Sequence, residues 1–437
     1  MRKDRAALAV TMAVALATIA ACSSGSASTT TSTDAKAPLT VWVDADRAPQ
    51  AQAYAKAHPE LTIKINTVDP AQGSNTSKIA LAEKAGSGIP DVIFLGSPDE
   101  ISTLSSKAIN FPLALDGLVP GATLQGFPDK LARCTFSGKV YCLGNDVGQT
   151  VLWYNKSLFA QWGYTVPKTF DDFKTLGIKL AKEHPGYNLG TVNGRYGTDA
   201  FFGSSGCPVS DATSVTEVKI NTSDPKCVRV GDVIGPLMAN GSLSTLDLFD
   251  KNYTAQVAAG KVIAMVGASW TAQFAFKPMT TKSGTSFNAV GKYAAAPMPT
   301  WSGESKNWSG AVGGGIWIVS NKAQNQQAAV DFAVAMTTSP VIAKTQTTYP
   351  AYGPSADIWI GQKATDPWYA APPGAVLKAA AANINPALGY VRYQTQLLDS
   401  YNATVLKSGA TDMTGALKQW GEQIKQAATS SGYTVSQ

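Results

Sequence analysis

Leu39-Thr-Val-Trp-Val43 begins the part of the chain that decides the fold, and its apolar pattern predicts a short strand. The Ala-rich residues 48–58 predict a helix that ends before Pro59, because proline disfavours helix in the residue that precedes it. Leu61-Thr-Ile-Lys-Ile65 alternates with a period of two, as expected for a strand with one buried face. This β-α-β unit predicts α/β architecture.

The same alternation continues downstream. Residues 74–85 predict a helix closed by glycine, and Ile89-Pro-Asp-Val-Ile-Phe-Leu95 predicts a buried strand. Thr169 and Asp172 have the spacing of a capping box for a helix that runs to about residue 183. Further strands are expected at 138–142, 151–154, 261–266 and 311–319, and further helices at 328–337 and 414–428. So many separate pieces favour two lobes over one large sheet.

The N-terminus predicts export. Arg2, Lys3 and Arg5 precede an apolar run, and residues 1–21 therefore predict a signal peptide. Ile19-Ala-Ala-Cys22 resembles the bacterial lipobox, so we expect Cys22 to be lipidated; an unmodified cysteine after an ordinary cleavage site is the alternative. Residues 22–37, rich in Ser, Thr and Ala, predict a flexible tether. No later segment is apolar over about 18 residues, so no transmembrane helix is expected.

The charge balance argues against nucleic-acid binding. The net charge is +6, only 15% of residues are charged, and no run of Lys and Arg occurs, whereas nucleic acid requires a clustered basic patch. Aromatic residues make up 9% of the chain. Low charge with abundant aromatic rings favours a neutral, polar ligand.

Four cysteines remain after Cys22, and outside the cytoplasm an even set normally forms disulfides. Three connectivities are possible, and proximity in sequence favours Cys134–Cys142 and Cys207–Cys227. Four free buried thiols are the alternative. Zinc is disfavoured because CxxC pairs are absent and the chain has only two histidines, so we expect no metal and no cofactor.

Several segments resemble the extracellular solute-binding proteins of carbohydrate ABC importers, the family that includes maltose-binding protein. The most specific are Gly138-Lys-Val-Tyr-Cys-Leu-Gly144 and Leu152-Trp-Tyr-Asn-Lys-Ser-Leu-Phe159, which are similar to the family's "GK.Y.LP" and "L.YNK.LF" elements. Matches of the same kind lie, in order, at residues 39–47, 88–94, 167–172, 260–265, 267–270 and 311–316. Two departures are Cys142-Leu-Gly144, where the family often has Leu-Pro, and the unmatched segment 207–227.

The resemblance implies a two-lobe clamp of the periplasmic-binding-protein type (type II), with a mostly parallel sheet flanked by helices in each lobe and a hinge between them. We assign residues 38–146 and 297–345 to the N-lobe, and residues 147–296 and 346–437 to the C-lobe. The implied function is capture of a sugar for an ABC permease, without enzymatic activity. The protein would be a monomer outside the cytoplasm, on the outer face of the cell membrane.

A sugar-binding cleft needs carboxylates or arginine for the hydroxyl groups and aromatic rings for the apolar C–H faces. Trp270 matches the family's stacking aromatic, with a core tryptophan as the alternative. For Asp99 the alternative is a helix cap, and for Gly314 it is a bulge rather than close approach of backbone to ligand. The candidate ligand-binding residues are Asp46, Arg47, Asp99, Asp146, Trp270, Trp308, Gly314 and Tyr352.

Two other functions stay open at this stage. An extracytoplasmic carbohydrate-active enzyme would require a pair of carboxylates, such as Asp44 with Asp46, although no GxSxG, HExxH or P-loop motif occurs. A binding protein for another small solute, such as a polyamine, could use Asp46, Asp99 and Asp146.

Overall fold

A computed structural model describes residues 34–69, 73–127, 130–136, 138–214, 216–280 and 287–436. The predicted signal peptide, Cys22 and the predicted tether up to residue 33 lie outside the described residues. Among the residues described, no helix is both long enough and apolar enough to cross a bilayer.

The described residues alternate between strands and helices, as the sequence predicts. The strands are β1 (Leu39–Val43), β2 (Ile63–Thr67), β3 (Val92–Leu95), β4 (Thr135–Phe136), β5 (Lys139–Val140), β6 (Leu143–Gly144), β7 (Thr150–Asn155), β8 (Asp211–Ala212), β9 (Glu217–Lys219), β10 (Ala264–Ala268), β11 (Tyr293–Ala296), β12 (Ile316–Val319) and β13 (Thr434–Ser436). The helices are α1 (Ala48–Ala57), α2 (Ser74–Ala85), α3 (Glu100–Leu104), α4 (Gly121–Gln125), α5 (Lys156–Trp162), α6 (Phe170–Glu183), α7 (Gly203–Ser205), α8 (Pro225–Ala239), α9 (Lys251–Ala258), α10 (Lys277–Thr280), α11 (Gln326–Thr338), α12 (Pro340–Thr345), α13 (Gly353–Lys363), α14 (Gly374–Ala382), α15 (Gln394–Tyr401) and α16 (Met413–Ser430).

The first lobe is built on a five-stranded sheet with the order β2-β1-β3-β12-β6. Strands β1, β2 and β3 are parallel, and β12 runs antiparallel to β3 and β6. Every residue of β3 and β12 is buried, which explains their continuous apolar sequences, whereas β1 alternates between buried and half-buried positions.

The second lobe contains a three-stranded sheet with the order β10-β7-β11. The expectation of a mostly parallel sheet is wrong for these strands, because β10 and β11 both run antiparallel to β7. The connectivity explains the antiparallel pair: β7 carries the chain away from the first sheet after β6, and β11 carries it back toward β12. Parallel bridges, Asn188 to Val262 and Thr191 to Ser244, lie beyond this ladder.

Local sequence signals set several element ends. Thr169 and Asp172 form the predicted capping box of α6, in which each side chain accepts a hydrogen bond from the other residue's backbone N–H. Helix α2 ends at Gly86, whose left-handed backbone (φ of 67°) suits glycine. These caps fix where the helices begin and end without help from distant residues.

Both disulfides predicted from proximity are present. Cys134 pairs with Cys142, and the intervening residues contain the antiparallel pair β4 and β5. Cys207 pairs with Cys227 and ties the segment after α7 to the first turn of α8. Three connectivities were open in sequence, and the structure has the one with the shortest loops.

The proposed lobe borders stay a prediction. Trp301 stacks on Phe170 of α6 in the second lobe, with ring centroids 3.6 Å apart. Tyr352 packs on Phe127 of the first lobe at 5.0 Å. Both border segments therefore contact the lobe opposite to the one predicted for them. Residues 301–309 pack on the second lobe through Trp301, through the ion pair of Glu304 with Arg229 and through the bridge of Ser309 to Ile384, so they are grouped with the second lobe below.

Candidate functional site

An ion-pair cluster joins the two lobes at the inner end of the cleft. Asp99 directly precedes α3 in the first lobe, whereas Arg195 and Asp199 lie in the second lobe, at and within a π-helical turn over Tyr196–Phe202. The Arg195 guanidinium is 2.8 Å from Asp99 through Nη2 and 2.8 Å from Asp199 through Nη1. One arginine thus bridges an acid from each lobe.

Burial makes this cluster strong. The Arg195 side chain is 15% exposed, and the two carboxylates are 5% and 6% exposed. Burial alone would lower the pKa of Arg195, but Asp99 and Asp199 together raise it above its ordinary value. Thr198 Oγ1 donates a further hydrogen bond of 2.8 Å to Asp199, and Ser97 Oγ donates to Asp99. The cluster therefore holds paired charges whose oxygens are occupied by the protein itself.

Asp99 does not act as the helix cap that the sequence allowed. It occupies the position before α3, but its side chain accepts no capping hydrogen bond. Its carboxylate is used for the contact with Arg195 instead.

A second cluster lies at the carboxyl ends of β1 and β3 and contains the predicted residues Arg47 and Asp146. Arg47 Nη1 is 2.6 Å from Asp44, and Nη2 is 3.6 Å from Asp146. The guanidinium also lies 4.0 Å over the ring of Phe94. Asp146 Oδ1 accepts hydrogen bonds from the backbone N–H of Gly315 at 2.9 Å and from Asn145 at 3.0 Å. Arg47 and Asp146 are thus brought together, but each is satisfied internally.

Asp46 is exposed, and its neighbour Asp44 is the buried acid that pairs with Arg47. Partial desolvation of its carboxyl group, followed by the charge of Asp44, raises the pKa of Asp46. Of the adjacent candidates Asp46 and Arg47, only Arg47 therefore belongs to the ion-pair cluster.

Trp270 lies two residues after the end of β10 and is half-buried. Its Nε1 donates a hydrogen bond of 2.9 Å to the carbonyl of Val312, and its ring meets Tyr196 edge-on at 6.3 Å. Gly313 and Gly314 follow Val312 with φ angles of 72° and 105°, which only glycine adopts readily. A Cβ atom on Gly315 would lie 2.4 Å from the Phe94 ring, so the glycine turn is required for close approach to the first sheet.

A cavity of about 1140 Å³ opens beside these clusters, between the lobes. The first lobe contributes residues within 102–112 and 132–141, and the second lobe contributes residues within 212–216, 306–308 and 381–392, with Tyr433. Trp308 lines this cavity, and its Nε1 donates a hydrogen bond to Glu304 at 3.2 Å. The cavity is somewhat larger than the roughly 300–1,000 Å³ typical of small-ligand sites.

Tyr390 is a cavity residue that the sequence analysis missed. The Arg133 guanidinium lies 4.9 Å over its ring, across the gap between lobes. Burial raises the pKa of Tyr390 to about 12, so the hydroxyl group remains protonated. That hydroxyl is buried and has no hydrogen-bond partner among the described residues.

Six of the eight predicted residues fall into three places, whereas Asp46 is exposed. Trp308 lines the cavity. Asp99 and Trp270 take part in the contacts at the inner end of the cleft. Arg47 and Asp146 lie beside the glycine turn, and Gly314 is part of that turn. Tyr352 lies apart, against Phe127 and Gly126, and does not line the cavity. Of the missed residues, only Arg195 and Asp199 had a sequence signal, since they stand four apart, the spacing of a helical ion pair.

No group of three or more His, Cys, Asp or Glu side chains in the described part of the chain is arranged to hold a metal ion. The site is thus a cleft lined by aromatic and polar side chains between two α/β lobes. This arrangement can enclose a solute, and closing it would exclude water and strengthen the hydrogen bonds within.

Comparison with known proteins agrees with this geometry. The family described as bacterial extracellular solute-binding protein matches residues 36–342. The arabinooligosaccharide-binding protein of Bacillus subtilis (strain 168) is 31% identical over 142 residues, or 31% of this chain. That match spans 32% of the relative's own length, about a third.

Two solved structures share the fold over nearly their whole length. The galacto-N-biose-/lacto-N-biose I-binding protein of the ABC transporter from Bifidobacterium longum, in complex with lacto-N-biose, has a TM-score of 0.74 at 19% identity, covering 92% of this chain and 99% of that chain. The ABC transporter associated binding protein from B. animalis subsp. lactis Bl-04, in complex with β-1,6-galactobiose, has a TM-score of 0.71 at 21% identity, with the same coverage. Both are described as binding proteins of ABC transporters. Because the family match covers well over half of the residues, this chain belongs to the bacterial extracellular solute-binding protein family.

Proposed function

We propose that the chain is the substrate-binding subunit of an ABC importer, that it captures a mono- or oligosaccharide between its lobes, and that it delivers this sugar to a membrane permease. The observation that carries the proposal is the cavity of about 1140 Å³ between the lobes, where Trp308 and Tyr390 present aromatic rings. Such rings stack on the apolar C–H faces of sugars.

The relatives support the same ligand class. The two solved structures hold lacto-N-biose and β-1,6-galactobiose, and the Bacillus subtilis relative is named for arabinooligosaccharides. A polyamine is less well supported, because no Asp or Glu among the described residues lines the cavity to balance its positive charges. The enzyme alternative is not retained, since the family consists of solute-binding proteins.

Cys22 would anchor the protein to the outer face of the cell membrane and the tether after it would give the lobes reach, with the protein acting as a monomer. Replacing Cys22 with Ser tests the anchor. We expect the wild-type protein in the membrane fraction with incorporated labelled palmitate. The Cys22→Ser variant should be unlabelled and released, whereas equal labelling of both would contradict the anchor.

Ligand capture is tested by a thermal-shift screen of mono-, di- and trisaccharides, followed by calorimetry on the hits. A sugar present at a hundred times its Kd should stabilise the protein by about 2.7 kcal/mol. Trp308→Ala should weaken binding by about tenfold or more, because it removes a stacking surface.

Trp162→Ala is the matched control. Trp162 is also half-buried, but it stacks on His184 at 3.7 Å and lies outside the cavity. This variant should lose stability and keep its sugar affinity. The proposal fails if no saccharide shifts the melting temperature, or if both variants bind as tightly as the wild type.

A further inference from the structure

The charged side chains that line the cavity all have the same sign. They are Lys107 and Arg133 from the first lobe, with Lys306 and Arg392 from the second, and no carboxylate accompanies them among the described lining residues. The sequence had instead predicted a neutral ligand, with Asp46, Asp99 and Asp146 among the residues that bind it. The wall is therefore electropositive on both sides of the cleft.

Three of these cations have no counter-ion within the described part of the chain. Lys107, Arg133 and Lys306 make no ion pair and no side-chain hydrogen bond there. Arg392 differs, because its Nε donates to the Ser431 carbonyl at 3.1 Å. Unpaired like charges that face one cavity repel each other, and an anion placed between them would relieve this repulsion.

Three acids near the cavity, Asp99, Asp199 and Glu304, are each paired with another cation and so contribute little negative field to it. Asp99 and Asp199 are held by Arg195 at the inner end. Glu304 accepts a hydrogen bond from the Trp308 indole and forms an ion pair with Arg229 at 3.0 Å. Among the described lining residues, the positive charges therefore have no carboxylate beside them.

Three of the four cations, namely Arg133, Lys306 and Arg392, each lie against an aromatic ring of the same cavity. Arg133 lies 4.9 Å from the Tyr390 ring centre, Lys306 lies 4.8 Å from that of Trp308, and Arg392 lies 4.2 Å from that of Tyr433. A ring with a neighbouring cation suits a ligand that has an apolar C–H face and an anionic substituent on the same unit. A sugar unit with a carboxylate, sulfate or phosphate group has this chemistry.

We propose that the ligand is an acidic saccharide, whose anionic groups are bound by Lys107, Arg133 and Lys306 while its sugar rings stack on Trp308 and Tyr390. This inference rests on the proposed function and narrows its substrate class. Because the cations come from both lobes, an anionic ligand would contact both and favour the closed form.

The test compares matched saccharides by calorimetry. Trigalacturonate and galactotriose have the same length and differ in the carboxylate groups; a sulfated galactose disaccharide and its unsulfated counterpart make the second pair. We expect at least one acidic saccharide to bind about tenfold to a hundredfold more tightly than its neutral counterpart, as charge-assisted hydrogen bonds would give. Its affinity should fall as salt is added. A difference within the first pair would indicate recognition of a carboxylate, and a difference within the second pair would indicate recognition of a sulfate.

Arg133→Gln and Lys107→Gln should each reduce this preference, while the affinity for the neutral saccharide stays nearly constant. Lys56→Gln is the matched control: it removes the same charge from an exposed position on α1, outside the cavity, and should leave the preference intact. Equal loss in Lys56→Gln would overturn the inference, because it would show an effect of net charge alone.

Three further outcomes are decisive. If neutral saccharides bind as tightly as acidic ones, the inference fails and the proposed function stands. If no saccharide of either kind binds, both fail. If inorganic sulfate alone binds as tightly as the acidic saccharides, the site recognises a free anion and the inference is overturned.

Discussion

The lobes face each other in two places, and the charges there are arranged in opposite ways. At the inner end, Arg195 is held between Asp99 and Asp199, so opposite charges are paired and buried. In the cavity beside it, Arg133 and Lys306 have no carboxylate partner among the described residues. The first arrangement links one lobe to the other, whereas the second leaves cations in the cavity wall that can bind an anionic ligand. The Arg195 cluster thus links the two lobes directly, whereas the cavity is where we propose that the ligand binds.

The largest effect is expected from Arg195→Ala. This change leaves two buried carboxylates without their shared cation and should cost about 3–5 kcal/mol in the free energy of unfolding. Urea unfolding measures it. Lys378→Ala is the control, because its pair with Asp357 is 62% and 60% exposed and should contribute less than about 1 kcal/mol. Equal losses in the two variants would remove the distinction between buried and exposed pairs.

Glu100 sharpens the comparison, since it is a buried acid next to the paired cluster that forms no ion pair of its own among the described residues. It accepts hydrogen bonds only from Thr76 at 2.7 Å and Gly73 at 3.3 Å. Burial raises the pKa of Glu100 from 4.5 to about 7. The folded protein therefore binds this proton more tightly than the unfolded chain does.

The stability that this proton provides is complete below a pH of about 4.5 and is lost as the pH rises through about 7, a fall of about 3 kcal/mol. Glu100→Gln should abolish this fall. The variant should exceed the wild type in unfolding free energy by the largest margin near pH 8, and by much less near pH 5. A margin that does not change with pH would contradict the assignment.

The cavity side of the comparison depends on the disulfide Cys134–Cys142, because Arg133 and Tyr141 directly adjoin its two cysteines. Replacing both cysteines with Ser should cost about 2.5 kcal/mol, given a sequence separation of 8, and should weaken ligand binding as well.

The matched control replaces both cysteines of the second disulfide, Cys207 and Cys227. Its separation of 20 predicts a slightly larger stability loss of about 3 kcal/mol. Neither of its cysteines adjoins a cavity residue in sequence, so ligand affinity should persist. Equal affinity losses in the two variants would show that Cys134–Cys142 does not position the cavity wall.

The smallest effect is expected from Trp270→Phe, which removes the hydrogen bond to the Val312 carbonyl and costs about 1 kcal/mol. Amide hydrogen exchange at Gly313 and Gly314 should become faster, because this bond holds the glycine turn. Trp153→Phe is the control, since its indole bonds the Ala268 carbonyl within the second sheet. In the Trp153→Phe variant, amide exchange in the glycine turn should not change. Faster exchange in both variants would show that the bond of Trp270 to Val312 is not what holds the turn.

Much of the fold could be predicted from the sequence because its signals are local. The alternation of apolar residues, Pro59, the Thr169 and Asp172 capping box and the glycine after α2 place strands and helices within a few residues of their observed ends. The short cysteine spacings gave the correct pairing for the same reason, since loop closure is easiest between neighbours.

Strand direction in the second lobe and the composition of the cleft were decided by the tertiary structure. The antiparallel placement of β10 and β11 against β7 depends on how often the chain crosses between lobes, which no local pattern encodes. Arg195 meets Asp99 across 96 residues of sequence, and Arg133 meets Tyr390 across a still longer separation. The sequence determines which charged groups and aromatic rings are present. Only the folded structure decides which charges pair with each other and which face the cavity, because the interaction of two charges depends on their distance in space.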